Sequence, residues 1–256
     1  MDLGAKLKGK RVLITGASGG IGAHLARVSA RCGARVAIAA RRQDKLEELA
    51  KELLDLGAER ALVSFLDVSE EESVEACLSG VVAAFDGLDV LVNNAGVARD
   101  AMALDQNAED FDAVLDVNLR GVWLMATAAG RHWRASGTPG SIINIASILS
   151  ERVAKAVAAY AVSKAGVVQM TKALALELAR HDIRVNAIEP GYFATEINAG
   201  FFETPAGETM IKRIPMRRIG AMDELDGPFL LLATDASRFM TGAAIPVDGG
   251  HLVSSL

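Results

Sequence analysis

Seven short runs of β-branched and aliphatic residues recur along the chain, separated by longer stretches with helical patterning. The runs are RVLIT (11–15), RVAIA (35–39), ALVSF (61–65), LDVLV (88–92), SIINI (141–145), IRVNAI (183–188) and GAAIPV (242–247). Several are apolar on both sides of the pleat, as strands covered on both faces must be. Helical patterns fall at 20–32, 42–57, 70–85, 107–135, 155–181 and 222–233. Strand–helix–strand alternation predicts parallel strands joined by crossover helices: an α/β fold with a doubly wound parallel seven-stranded sheet. No linker, repeat or low-complexity tract breaks residues 1–256, so a single domain is expected. Segment 190–221 departs from the alternation. It holds Pro190, Pro205 and Pro215 and the apolar residues Phe193, Ile197, Phe201 and Phe202, which read as exposed. A long insertion beyond a strand's C-terminal end is where open α/β sheets bind ligands, so it is expected to be a substrate-binding loop or lid.

The first strand runs into TGASGGIG (15–22) and then a helix. Gly16 permits a tight turn, Gly20 lets a pyrophosphate approach the backbone, and Gly22 allows close helix–strand packing. The free amides of the helix N-terminus then face phosphate. Gly16, Ser18, Gly19, Gly20, Ile21 and Gly22 are accordingly expected to contact a dinucleotide in a Rossmann-like fold. After the second strand stands Ala40, where an acid would hold both ribose hydroxyls of NAD, and then Arg41 and Arg42. Cations at a helix start oppose its dipole unless an anion lies between. A 2′-phosphate is such an anion, and guanidinium binds it as a fork, so NADP(H) is expected over NAD(H).

Composition narrows the setting. The net charge is −5, which gives no basic surface for nucleic acid. Half of the residues are apolar (51%), yet no run approaches a membrane span. The N-terminal MDLGAKLKGK lacks the apolar core of a secretory signal. Cys32 and Cys77 lack metal-ligand spacing and read as free thiols in helices, so a cytoplasmic location is expected. The C-terminal Ser-Ser-Leu only faintly matches a peroxisomal address. His24, His132, His181 and His251 are scattered and read as surface residues, so no metal site is expected. RHWR (131–134) reads as the frayed end of a helix.

The remaining chemistry sits on two apolar helices. In YAVSK, Tyr160 and Lys164 are four residues apart and so share a face. Lys164 lies on a stripe with Val157, Val167, Val168 and Thr171, where an ammonium needs a partner. A free phenol has a pKa of about 10, and a neighbouring ammonium lowers it toward a useful acid–base value. Ser147 ends the strand SIINIAS on the side where a parallel sheet opens. On the other helix, Asn107 is a cap, and Asn118 interrupts the stripe Phe111, Val114, Leu115, Val122 and Met125. A buried amide must find partners, whether as a structural tie or as part of a site.

Taken together, TGASGGIG, NNAG (93–96), Asn118 in DVNLRG, Ser147, YAVSK thirteen residues later, and PGYFAT (190–195) resemble the short-chain dehydrogenase/reductase family over essentially the whole length. The resemblance implies that Tyr160 is the acid/base, Ser147 bonds the substrate oxygen and Lys164 binds the nicotinamide ribose. It further implies that Asn118 holds a proton-relay water. Asp67 and Val68 would contact adenine, and Asn94, Ala95 and Gly96 would line the ribose. Pro190, Gly191, Phe193 and Thr195 would flank the nicotinamide. Family members commonly form tetramers, so a homotetramer or dimer is expected.

The expected reaction is NADP(H)-dependent interconversion of a ketone and a secondary alcohol. Leu149, Val153, Phe193, Ile197, Phe202 and Ile211 favour a hydrophobic carbonyl over a sugar. Among relatives acting on carrier-bound 3-oxoacyl groups, an arginine usually stands near the position of Leu176, although Arg99 resembles that subgroup. A 3-oxoacyl-thioester reductase, or an NAD-dependent sugar or hydroxysteroid dehydrogenase, is the alternative. A nicotinamide-binding sensor or an assembly protein is the non-enzymatic alternative.

Overall fold

The computed structural model describes residues 2–194 and 199–254; Thr195 and Ile197, both expected in the site, lie outside them. In chain order the elements are β1 (Arg11–Thr15), α1 (Gly20–Arg31), β2 (Arg35–Ala40), α2 (Gln43–Asp55), β3 (Arg60–Phe65), α3 (Glu71–Phe85), β4 (Val90–Asn93), α4 (Ala108–Leu115), α5 (Gly121–Ser136), β5 (Gly140–Ile145), α6 (Ala158–Leu178), β6 (Ile183–Pro190), α7 (Ala199–Phe202), α8 (Pro205–Ile211), α9 (Asp226–Ala233) and β7 (Ala244–Val247). The seven strands form one parallel sheet in the order β3-β2-β1-β4-β5-β6-β7.

The doubly apolar strands are explained by the two layers they serve. Val12 and Ile14 of β1 join the core under α1, α2 and α9, whereas Leu13 joins the core under α3, α5 and α6. The strand order reverses direction between β1 and β4, and Ile14 lies beside Val92 there. The C-terminal ends of β1, β4, β5 and β6 therefore open onto one crevice, the usual ligand position of such sheets.

Four local features differ from the sequence reading. The pattern at 107–135 is helical throughout, but α4 and α5 are joined by a π-helical turn over Asp116–Arg120. Such turns insert one residue into the ladder and favour functional positions. The RHWR segment is not frayed: Trp133 is fully buried and its Nε1 donates to the Leu88 carbonyl at 2.7 Å. Helix α6 begins at Ala158 and not at 155, because Ala156 takes a left-handed backbone (φ +65°) that ends the preceding loop. Within 190–221, Phe193 and Phe202 are buried and not exposed. Phe193 packs beneath Gly220, and Thr204, followed by Pro205, caps the short helix α8. The Thr-Pro pair is a helix-start signal that the sequence carried.

Candidate active site

The crevice floor is built from glycines that cannot be larger. Gly16 has φ +65°, and a Cβ there would lie 2.7 Å from Ala95 Cα. A Cβ on Gly22 would lie 2.7 Å from the Gly16 carbonyl and strike the Asn94 amide. The turn is thus pressed onto the 93–96 segment. Thr15 locks the same junction: its Oγ1 accepts from Asn94 N (3.0 Å) and Ala95 N (3.1 Å). Asn94 Nδ2 donates to the carbonyls of Thr15 (2.9 Å) and Gly16 (3.2 Å). Gly19, at the N-cap of α1, offers no side chain, so the amides of Gly20, Ile21 and Gly22 face outward. Outward amides on a dipole's positive end, beside a cradle that a Cβ would fill, fit the pyrophosphate of a dinucleotide.

The β2–α2 turn flanks this loop. Arg42 Nη2 and Nε donate to Ser18 Oγ at 2.9 and 3.2 Å, so this guanidinium lies over the glycine turn. Arg41 points the other way, with Nη1 3.8 Å from Asp67 Oδ2. Asp67 also accepts from Ser69 N (3.1 Å) and Ser69 Oγ (2.6 Å). Val68 is buried against Gly121, where a Cβ would lie 2.7 Å from Val68 Cγ2. Arg41, Arg42, Asp67 and Val68 thus gather on one side of the crevice, next to Ser18.

Ser147, Tyr160 and Lys164 converge on the other side. Ser147 follows β5 in extended backbone, and its Oγ accepts from Leu149 N at 3.1 Å. Burial raises the Tyr160 phenol above its ordinary value, and a side-chain hydrogen bond with Ser147 partly offsets this. Lys164 is 4% exposed, and its Nζ donates to the Ile145 carbonyl at 2.8 Å. Burial lowers its pKa to about 8. The ammonium lies 5.5 Å from the Tyr160 ring centroid. The expected lowering of the phenol by Lys164 is therefore not what the protein groups alone produce: burial raises it, and the bond with Ser147 is what opposes that.

Asn118, at the centre of the π turn, is fully buried. Its Oδ1 accepts from Val97 N (2.7 Å), and its Nδ2 donates to the Val97 carbonyl (2.9 Å) and Ser163 Oγ (3.1 Å). Ser163 in turn donates to the Tyr160 carbonyl at 2.7 Å. The amide thus ties the loop after β4 to the helix that carries Tyr160. Its oxygen and Lys164 Nζ both border the Cα of Gly96, 3.4 and 3.7 Å from where a Cβ would sit.

Pro190 and Gly191 close the crevice at the end of β6, where Gly191 N donates to the Val247 carbonyl at 2.9 Å. Phe193, expected beside the nicotinamide, has its side chain in the core under α9. The apolar wall is smaller than expected. Val153 is 89% exposed and lines no enclosed space. Leu149 is half-buried, and Phe202 packs edge-on against Tyr192 at 6.3 Å. His24 and His251 are not free surface residues: His24 Nε2 lies 2.6 Å from Asp226 Oδ1, and the His251 ring lies 5.5 Å from Tyr192. Sequence reasoning missed Glu189 and Ser150, whose side chains meet behind Ser147. The available signal was an acid at the C-terminal end of the strand IRVNAIEP, the end that opens onto the crevice. Among the described residues, no cluster of three or more His, Cys, Asp or Glu is placed to hold a metal ion.

Comparison with known proteins agrees with this arrangement. Residues 16–251 match the family model described as enoyl-(acyl carrier protein) reductase. D-Threitol dehydrogenase from Mycolicibacterium smegmatis is 38% identical over 254 residues, covering 99% of this chain and 96% of that protein. A 3-oxoacyl-(acyl-carrier-protein) reductase from Thermotoga maritima is 38% identical over 248 residues, covering 97% of this chain and all (100%) of that protein. A gluconate 5-dehydrogenase from Burkholderia cenocepacia, solved in complex with NADP and tartrate, superposes with a TM-score of 0.93 at 38% identity, covering 99% of this chain and 100% of that one. The chain belongs to the short-chain dehydrogenase/reductase family and is an NAD(P)-dependent oxidoreductase acting on alcohols and ketones.

Proposed function

We propose that this enzyme interconverts a ketone and a secondary alcohol with NADP(H), and that Tyr160 exchanges the proton at the substrate oxygen. The observation that carries the cofactor preference is the cationic turn beside the glycine loop. Arg42 rests on Ser18, Arg41 lies across from Asp67, and Ala40 supplies no carboxylate to compete for a ribose. A 2′-phosphate there would accept from the Arg42 guanidinium and the Ser18 hydroxyl, with Arg41 turning in from Asp67 to join them.

A bound nicotinamide supplies hydride to the carbonyl carbon or takes it from the alcohol. The protein groups handle the oxygen. Ser147 Oγ and the Tyr160 hydroxyl both donate to it in the reductive direction, and Tyr160 gives up its proton as negative charge develops. Lys164, with donors left beyond its bond to Ile145, holds the ribose hydroxyls and stabilises the resulting phenolate. Asn118 fixes the Tyr160 helix against the loop after β4, and a water held nearby carries the proton onward.

On the substrate side, half-buried Leu149 and Tyr192 support a hydrophobic carbonyl, with Phe202 packed behind the Tyr192 ring. A small polyol or keto acid is the second reading, favoured by His251 beside Tyr192 and by the names of the relatives above. The chain works as one unit, with 190–221 as its substrate-binding loop. It assembles through the exposed apolar faces of α5 and α6, and its free Cys32 and Cys77 suit the cytoplasm. The test is cofactor consumption with NADPH and NADH against aromatic, aliphatic, steroid-like, 3-oxoacyl and sugar-derived ketones. Turnover of at least one ketone with a clear NADPH advantage is expected. Equal kcat/KM with the two cofactors would sink the NADP(H) assignment.

A further inference from the structure

Glu189 is 1% exposed, on the strand that ends at Pro190, and no step above uses it. It points to the α6 side of the sheet, as Ala187 does two residues earlier. Its Oε1 meets Ser150 Oγ, and the same Oγ meets the carbonyl oxygen of Ser147. Ser150 N also donates to that carbonyl, at 2.9 Å. Ser150 thus ties the serine of the active site to a buried carboxyl.

The hydrogen count decides the state of this chain. A serine hydroxyl carries one hydrogen. If Glu189 is ionised, Ser150 faces two acceptors and can satisfy one. If Glu189 carries a proton on Oε1, it donates to Ser150 Oγ, and Ser150 donates to Ser147, so every contact holds a hydrogen. The charged groups that face the carboxyl are Glu151 from the loop after β5, Asp248 after β7 and Lys172 of α6. Two are anions and one is a cation, with Glu151 and Lys172 both exposed and Asp248 half-buried, a balance that does not favour ionisation. Burial acts in the same direction, raising the Glu189 pKa, with the Ser150 bond opposing it.

We propose that Glu189 is a positioning residue that, in its protonated form, holds the Ser147 turn through Ser150. The inference rests on the assignment of Ser147 as the residue that grips the substrate oxygen. It gives the active site a hydrogen-bond strut that is present when the carboxyl is neutral and lost when it ionises.

The test compares Glu189→Gln and Glu189→Ala with the wild-type enzyme between about pH 5 and pH 9. Glutamine keeps a donor toward Ser150; alanine removes it. At the acidic end, E189Q is expected to stay within about threefold of wild-type kcat, while E189A falls about tenfold or more with NADPH KM unchanged. Wild-type kcat should drop relative to E189Q as pH rises; Lys164 titrates in both enzymes, so its effect cancels.

Melting temperature gives a readout independent of substrate. A carboxyl whose folded pKa is raised contributes stability that is full below its ordinary value of 4.5 and lost as pH rises through the folded value. The melting temperature of the wild type should therefore fall relative to E189Q with rising pH. A constant gap, or an E189A enzyme with wild-type kcat, overturns the proposal. An active Ser147→Ala enzyme instead overturns the Ser147 assignment and leaves the melting comparison standing.

Discussion

Lys164 shows what the proposed chemistry costs the fold at a single residue. Its ammonium is buried with one carbonyl partner, Ile145, and its pKa is lowered to about 8. A lowered lysine pKa means that folding disfavours the charged form. The penalty is fully present below the folded value and disappears as pH rises through the unfolded one. A shift of this size corresponds to about 3 kcal/mol at neutral pH. Lys164→Met should therefore melt a few degrees higher than the wild type at pH 7, while losing most of its activity. Calorimetry and steady-state rates on one preparation check both halves. A lower melting temperature would mean that the Ile145 bond outweighs desolvation. The residue scale was also the most legible in sequence. Tyr160 and Lys164 stood out because polar groups on an aliphatic stripe need a reason. Glu189 did not, because strand patterning cannot tell that Ser150 lies opposite it.

At the scale of elements, the glycine turn and the β2–α2 turn act as one unit, bridged by Arg42 and Ser18. Arg42→Ala should raise the KM for NADPH about tenfold or more and leave that for NADH nearly unchanged, as loss of a charge-assisted bond requires. Equal effects on both cofactors would mean that Arg42 merely shapes the loop. The elements themselves were largely readable, since several of the strands are apolar on both faces and each is followed by a helical pattern. Their ends and irregularities were not. The π turn at Asp116–Arg120 leaves the hydrophobic period intact, so Asn118 read only as a polar break. Ala156 ends its loop by a backbone conformation that alanine rarely adopts, and no residue pattern announces it. Trp133 was misjudged because its charged neighbours suggested solvent, while its ring fills the space beneath Gly140.

For the molecule as a whole, the sheet order leaves the outer faces of α5 and α6 without cover. Leu176 is 84% exposed and Trp123 47%, on neighbouring helices. The proposed assembly would cover these side chains. Leu176→Glu should convert the assembled form to a smaller species, read by light scattering coupled to size exclusion; a wild-type monomer would remove the assembly reading altogether. Substrate choice was the least legible property. The sequence reading placed it in apolar residues of segment 190–221, and there Phe193 and Phe202 are buried in packing.

The central claim is that Tyr160 exchanges the proton at the substrate oxygen. Its most direct test is kcat for ketone reduction by Tyr160→Phe against the wild type, with NADPH binding followed in parallel by nucleotide fluorescence. The account predicts unchanged NADPH binding and a kcat at least about 10²-fold lower. A Tyr160→Phe enzyme that binds NADPH and reduces the ketone at the wild-type rate would contradict it.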